Sequence, residues 1–161
     1  MIKVGMGYDI HPLIKERPLI LGGVAIPHNK GLKGHSDADV LIHAVCNALL
    51  GALGKGDLGS HYPNSNPRFC NYPSTKFLEE IADLVKKEGF RIINIDSVII
   101  AQEPRLSPFM EEMKGHFAKV LGLDRNQIGI KAATPEGIGS LGKGEGIAAQ
   151  AICLIEQPDH V

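Results

Sequence analysis

Between Gly34 and Ala44 the chain reads Gly-His-Ser-Asp-Ala-Asp-Val-Leu-Ile-His-Ala, a polar turn running straight into an apolar segment. A turn that only reversed the chain would not need His35, Ser36, Asp37 and Asp39 together, followed by His43 one helical turn further on. Imidazole, hydroxyl and carboxylate are the groups that hold phosphate and divalent metals. A second such group stands earlier, at Asp9-x-His11. Residues two apart on a strand face the same side, so this carboxylate and imidazole can converge on one point. Alone, the pair reads equally well as a salt-bridged histidine at a strand end. With His43 it becomes two His and one Asp, the three-ligand set with an open fourth position that catalytic zinc uses. A structural zinc would want a fourth protein ligand, normally Cys, and none is suitably spaced.

His35 and Ser36 form a second constellation. Unpaired amides and the positive end of a helix dipole favour an anion at a helix start, and a ring N–H and a hydroxyl would add donors. Ser36 can equally be a plain N-cap. Asp37 and Asp39 would repel phosphate unless they hold other groups, and Asp39, one turn before His43, reads as the partner that orients that ring. Further on, Thr134 and Glu136 follow a strand pattern, where a hydroxyl could donate to phosphate and a carboxylate could hold a hard cation. Gly137 to Gly142 matches G-x-G-x-x-G and extends toward a phosphate-loop pattern, but Gly144 replaces the needed hydroxyl and a strand pattern follows where a helix must start.

The elements that must position these groups can be read from period and punctuation. Ile2 to Ile10 alternates as a first strand, with Gly5 and Gly7 allowing close backbone approach. Leu19–Leu21 and Val24–Ile26 flank Gly22-Gly23, a hairpin signal. From Ala38 to Ala52 apolar residues recur at spacings of three and four, predicting an amphipathic helix capped by Ser36 or Asp37. Asp57 to Tyr72 reads as a long polar loop, of a length that in compact domains is either a lid or disordered. Helices are predicted from Ser74, as cap, to Lys87 and over Phe109–Leu121, and strands over Phe90–Ala101, Ile128–Ala132 and Ile147–Ile155. Helices and strands mix without strict alternation, so the expected class is α+β: a mixed β-sheet with helices packed on one face plus a small β-hairpin.

The 161 residues suit a single domain, 1–161, with 43% hydrophobic and 22% charged residues and a formal net charge of -1. This balance argues against a nucleic-acid partner, and the absence of Trp removes a stacking platform. Cys46, Cys70 and Cys153 are too few and too scattered for a disulfide framework or thiolate site. No signal-peptide or membrane-span pattern is present, so a cytoplasmic location is expected, or an equivalent compartment if a targeting segment has been trimmed.

The run from Ser36 to Ala44, with Asn47 to Ala52 and Gly56-Asp57-Leu58-Gly59 behind it, resembles the 2-C-methyl-D-erythritol 2,4-cyclodiphosphate synthases. The likeness continues in Gly7-x-Asp9-x-His11, Ile100-Ala101-Gln102-x-Pro104, Lys131-Ala132-x-Thr134-x-Glu136 and Gly144 to Ala148. The resemblance implies a homotrimer with active sites between adjacent subunits, and zinc held by Asp9, His11 and His43. It implies conversion of 4-diphosphocytidyl-2-C-methylerythritol 2-phosphate to the cyclic diphosphate and CMP, in the non-mevalonate route to isoprenoids. His35 and Thr134 would steady the transition state, and Glu136 would hold a second divalent ion, Mg2+ or Mn2+, on the diphosphate. Asp9, His11, His35 and Ser36 would bind the phosphates, while Asp57 and Gly59 would meet the ribose beside Leu58. Tyr62 and Asn66 in the covering loop and Lys143 near the threefold axis would add contacts. Ala101 and Arg105, with Ala133, Thr134 and Glu136, would line the cytidine pocket of a neighbouring subunit. The chain departs from the common family pattern at Asn64, Asn66 and Cys70. Two rival readings are a zinc-dependent phosphohydrolase and a trimeric binding protein without catalysis.

Overall fold

A computed structural model describes residues 1–158. Its spine is β1 (Ile2–Lys15), which alternates so that Gly5, Gly7, Asp9 and His11 turn inward while Val4, Met6, Tyr8 and Ile10 face outward. The strand runs past its expected end because Pro12, which has no N–H to donate, still accepts a hydrogen bond from Lys33 (2.8 Å), and Leu13 donates to Glu145 (2.9 Å). β2 (Leu19–Leu21) and β3 (Val24–Ile26) form the expected hairpin. Both turn residues, Gly22 and Gly23, have positive φ (58° and 75°), the conformation such a two-residue turn demands. After β4 (Lys30–Leu32) come α1 (Val40–Leu53), a four-residue α2 (Leu58–His61) and α3 (Ser74–Lys87). Then follow β5 (Arg91–Ile100), α4 (Met110–Leu121), β6 (Ile128–Ala133), a short α5 (Gly139–Gly142) and β7 (Gly146–Glu156).

One five-stranded sheet runs β4-β1-β7-β5-β6, antiparallel except for the β5–β6 pair, whose parallel crossover is made by α4. α1 lies across the inner face and is buried along almost its whole length because α3 covers its far side. Leu41, Ile42, Leu49 and Leu50 are fully buried, each contributing about 1.5–3 kcal/mol of transfer free energy. The approach of α1 to β1 is set by two glycines. A Cβ on Gly5 would stand 1.9 Å from the Ala48 carbonyl oxygen, and one on Gly7 would stand 2.0 Å from that of Ala44. The outer face of the sheet is apolar and open: Ile2, Val4, Met6, Tyr8 and Ile10 are 49–64% exposed and run beside Ile152.

Two predictions about α1 are corrected. It begins at Val40, not Ala38, since Ala38 takes a left-handed φ of 59° that no helix continues through. Its cap is Asp39, not Ser36 or Asp37, and the Asp39 carboxylate accepts from Ile42 N (3.1 Å). The helix start therefore already holds a buried negative charge and is not an open anion site. The covering loop is also more ordered than its composition suggests. It contains α2 and a 3-10 turn at Pro67–Phe69, and Tyr62, Phe69 and Tyr72 pack around Phe77 of α3. The glycine-rich stretch folds into α5 and is followed by a strand, as expected of a segment that is not a nucleotide loop. Among the described residues no helix is long and apolar enough to cross a membrane.

Candidate functional site

β1 supplies Asp9 and His11, and α1, held close by the two glycines, brings His43 down onto them. Asp9 Oδ2 lies 3.0 Å from His11 Nε2 and 3.0 Å from His43 Nδ1. The two imidazole nitrogens are 3.3 Å apart. These separations fit a small tetrahedral ion, since ligand bonds of about 2.0–2.1 Å place adjacent donors about 3.3 Å apart. Proton bookkeeping supports the fit. His11 Nδ1 is 2.8 Å from the Lys33 carbonyl, which can only accept, so that nitrogen carries the hydrogen and the neutral ring presents a bare Nε2 to the cluster. A lone pair and a carboxylate oxygen then face each other, an arrangement a cation resolves. Asp9, His11 and His43 are the cluster with metal-ligand geometry found among the described residues.

The charges are tuned accordingly. Burial works to raise the Asp9 carboxyl, but the hydrogen bonds and positive charge that His11 and His43 offer it once their rings take up a second proton outweigh burial and hold the group at about 2. Burial likewise works against charge on His11, yet the hydrogen bond to Asp9 prevails and leaves that imidazole above its ordinary value.

The cluster forms the floor of a cleft of about 220 Å³, with His35, Ser36, Asn47, Leu58, Gly59 and Tyr62 on its walls. His35 Nε2 approaches the Asn66 carbonyl at 3.2 Å, so the turn before α1 and the covering loop meet over the opening. Asp57 stands at the rim as the N-cap of α2, its carboxylate engaged with Ser60 N (2.8 Å). Asn66 Oδ1 accepts from Arg68 N at 3.0 Å, and this caps the 3-10 turn. Asn47, which sequence reasoning did not select, accepts from Leu58 N at 2.8 Å and joins α1 to the rim. Its signal in the sequence was faint: apart from His43, it is the one strongly polar residue between Val40 and Leu50.

The expected role of Asp39 is corrected. It does not touch the His43 ring, because its carboxylate is consumed by the hairpin amides of Gly22 (2.9 Å) and Gly23 (2.7 Å) as well as by Ile42. It pins the hairpin to the start of α1. His43 Nε2 instead meets Ser74 Oγ at 2.8 Å and Ser36 Oγ at 3.2 Å. Ser74, read as a cap for α3, makes no capping hydrogen bond, and Pro73 occupies the cap position.

The remaining predicted residues lie elsewhere in the chain. Ala101, Arg105, Ala133 and Thr134 line a second cavity between the ends of β5 and β6. Glu136 is exposed beside them, at φ 53°, and accepts a hydrogen bond from the Thr134 hydroxyl. Lys143, at the end of α5, is exposed and lines neither cavity. Within one chain these residues line two cavities that share no lining residue.

Comparison with known proteins gives one result throughout. The model of the YgbB family matches residues 2–156. A curated protein of Desulfatibacillum aliphaticivorans named 2-C-methyl-D-erythritol 2,4-cyclodiphosphate synthase is 51% identical over 155 residues, covering 96% of this chain and all of that protein. One of the same name from Clostridium botulinum strain Kyoto is 53% identical with the same coverage. Among solved structures, a Plasmodium falciparum IspF complex with CDP superposes with a TM-score of 0.86 at 34% identity, covering 98% of this chain and 97% of that one. The bifunctional IspDF of Campylobacter jejuni gives a TM-score of 0.95 at 41% identity, with this chain covering 43% of that longer one.

Proposed function

The chain belongs to the YgbB family, whose curated relatives are named 2-C-methyl-D-erythritol 2,4-cyclodiphosphate synthase, and we propose that it is a metal-dependent synthase of that kind in isoprenoid biosynthesis. Its substrate is 4-diphosphocytidyl-2-C-methyl-D-erythritol 2-phosphate and its products are the 2,4-cyclodiphosphate and CMP. The observation that carries this reading is the convergence of Asp9, His11 and His43 on the floor of a cleft.

The substrate's own 2-phosphate is the nucleophile. An oxygen of that group forms a bond to the β-phosphorus as the bond from β-phosphorus to the bridging oxygen breaks and CMP leaves with the electron pair. The protein needs no activated Ser, Cys or Lys for this. It must fold the substrate so that the two phosphates meet, and it must offset the charge of the crowded oxygens. Asp9, His11 and His43 would hold zinc, which when bound supplies positive charge to the phosphate oxygens. His35 and Ser36, on the cleft wall, are placed to donate to the same groups. Leu58, Gly59 and the Asp57 rim seat the ribose, and Tyr62 and Asn66 belong to the segment that covers the substrate.

Thr134 and Glu136 act from a neighbouring subunit, the hydroxyl as a phosphate donor and the carboxylate as the protein ligand of Mg2+ or Mn2+, an ion that needs few protein ligands when a diphosphate supplies the rest. Ala101, Arg105 and Ala133 bound the cytidine pocket, a reading supported by the CDP in two related structures. A homotrimer brings the half-sites together and covers the open apolar face of β1, a contiguous exposed patch of the kind that marks an interface. Lys143 then lies toward the shared axis. Assaying the purified protein with zinc and magnesium tests the proposal. CMP and cyclic diphosphate in equal amounts with almost no inorganic phosphate support it, and stoichiometric phosphate release would mark a hydrolase instead.

A further inference from the structure

We infer that Asp37 and Ser74 are positioning residues which set the tautomer of His43 and so keep its Nδ1 lone pair aimed at Asp9 and His11. The inference takes its consequence from the metal reading above, but the tautomer itself follows from hydrogen-bond direction alone. Asp37 accepts from Ser74 N at 3.0 Å, from Asp39 N at 3.2 Å and from the Ser74 hydroxyl. A carboxylate has no hydrogen to give, so the short contact between Ser74 Oγ and Asp37 uses the only hydrogen that the serine has. Ser74 is fully buried, and its oxygen then meets His43 Nε2 at 2.8 Å purely as an acceptor. Of the two hydroxyls at Nε2, Ser74 is the nearer and can only accept, which places the His43 hydrogen on Nε2, with Ser36 Oγ at 3.2 Å as a weaker second acceptor. The other ring nitrogen, Nδ1, is left bare at 3.0 Å from Asp9 Oδ2 and 3.3 Å from His11 Nε2.

The two histidines are thus held by opposite nitrogens. A backbone carbonyl takes the Nδ1 hydrogen of His11, and a serine backed by a carboxylate takes the Nε2 hydrogen of His43. The relay also spans the molecule. Asp37 lies in the turn before α1, and Ser74 opens α3, 37 positions further along. Asp37 N donates in turn to the Tyr72 carbonyl at 3.1 Å, so the end of the covering segment is fixed at the same point as the metal ring.

The test reads the ring directly. In 15N-histidine spectra of the metal-free wild type at mildly alkaline pH, His43 should show the Nε2–H form, and an Nδ1–H wild type overturns the inference whatever the variants do. Asp37→Asn should reverse the ring. Its amide can donate to Ser74 Oγ, which frees the serine hydrogen for Nε2 and places a proton on Nδ1. Zinc affinity, measured against a competing chelator, should then fall about 10- to 100-fold. Ser74→Thr keeps the hydroxyl and should retain both the tautomer and the affinity, while Ser74→Ala should give mixed tautomers if Asp37→Asn does not fold. If the wild type binds zinc and both Asp37→Asn and Ser74→Ala leave tautomer and affinity unchanged, the relay is wrong and the metal reading stands. Should the tautomer shift as stated in a protein that binds no zinc, the relay stands and the metal reading fails.

Discussion

The Lys33 carbonyl oxygen lies 2.8 Å from His11 Nδ1 and decides, by accepting there, that His11 faces Asp9 with its other nitrogen. Because that carbonyl belongs to the backbone just past β4, no side-chain substitution at Lys33 can remove the contact. The orientation of the His11 ring is therefore a property of the fold.

Loss of any one ligand should be visible before activity is measured. Asp9→Asn, His11→Ala and His43→Ala are each expected to take zinc from about one ion per chain toward none by elemental analysis. Turnover should fall by about 10²–10³-fold, the scale for removing a main stabiliser of developing charge. A His43→Ala protein with full zinc content and full rate would falsify the assigned site.

Metal and proton compete for His11 Nε2, which gives the pH dependence a definite sign. The imidazole sits above its ordinary value, mainly through its hydrogen bond to Asp9 against the opposing effect of burial, so the proton is held more tightly than usual. Zinc affinity should begin to fall already as pH drops below neutrality, at higher pH than a free imidazole of about 6.5 would give. For the metal-free protein the Asp9 contribution runs through its lowered value of about 2. That contribution is present above the unfolded value of about 4 and is lost as pH falls toward 2. Chelator competition from pH 5.5 to 8 checks the first statement. Acid unfolding of wild type against Asp9→Asn checks the second.

The glycines between β1 and α1 can be tested against an internal control. Gly7→Ala would place a methyl 2.0 Å from the Ala44 carbonyl, where only movement of the helix makes room. A loss of about 1–3 kcal/mol in urea unfolding is expected, with weaker zinc binding because His43 moves with α1. Gly51→Ala on the same helix meets nothing nearer than 3.6 Å, and should stabilise by up to about 1 kcal/mol through helix propensity.

The proposal that sites are shared between subunits predicts complementation. His43→Ala and Thr134→Ala should each be nearly inactive alone, yet co-expressed in equal amounts and assembled at random into trimers they should recover about a quarter of wild-type turnover. That is the chance that a given junction draws both contributors intact in a head-to-tail ring. Recovery of none, in trimers shown to be mixed by mass, would place the whole site within one chain.

Much of the frame was legible because its signals are local. Alternation marked β1, the Gly22-Gly23 pair marked the hairpin, and the spacing of apolar residues marked α1 to within two residues. The convergence of Asp9, His11 and His43 was legible because strand and helix periods dictate which way they turn. The roles of Asp37 and Asp39 were not, since they depend on the left-handed turn at Ala38 and on partners far along the chain. Asp39 is claimed by the hairpin and Asp37 by Ser74, which sequence alone reads as an ordinary helix cap. The covering segment was misread as plain loop because its order comes from Phe77, an aromatic core residue of the following helix. Tyr62 and Tyr72 also both donate to Glu80 there.

The alternation of β1 has a consequence for how this chain can vary. Odd-numbered positions from Gly5 to His11 face the helix and the Asp9–His11–His43 cluster, and even-numbered ones from Val4 to Ile10 form the outer face. Parity is thus a shared frame for two functions. Inserting or deleting one residue within this span would exchange the two sets, sending Asp9 outward and an isoleucine toward His43. Length changes in relatives should therefore be absent from this strand and collect instead at Glu16–Pro18, where no ladder has to be kept in phase.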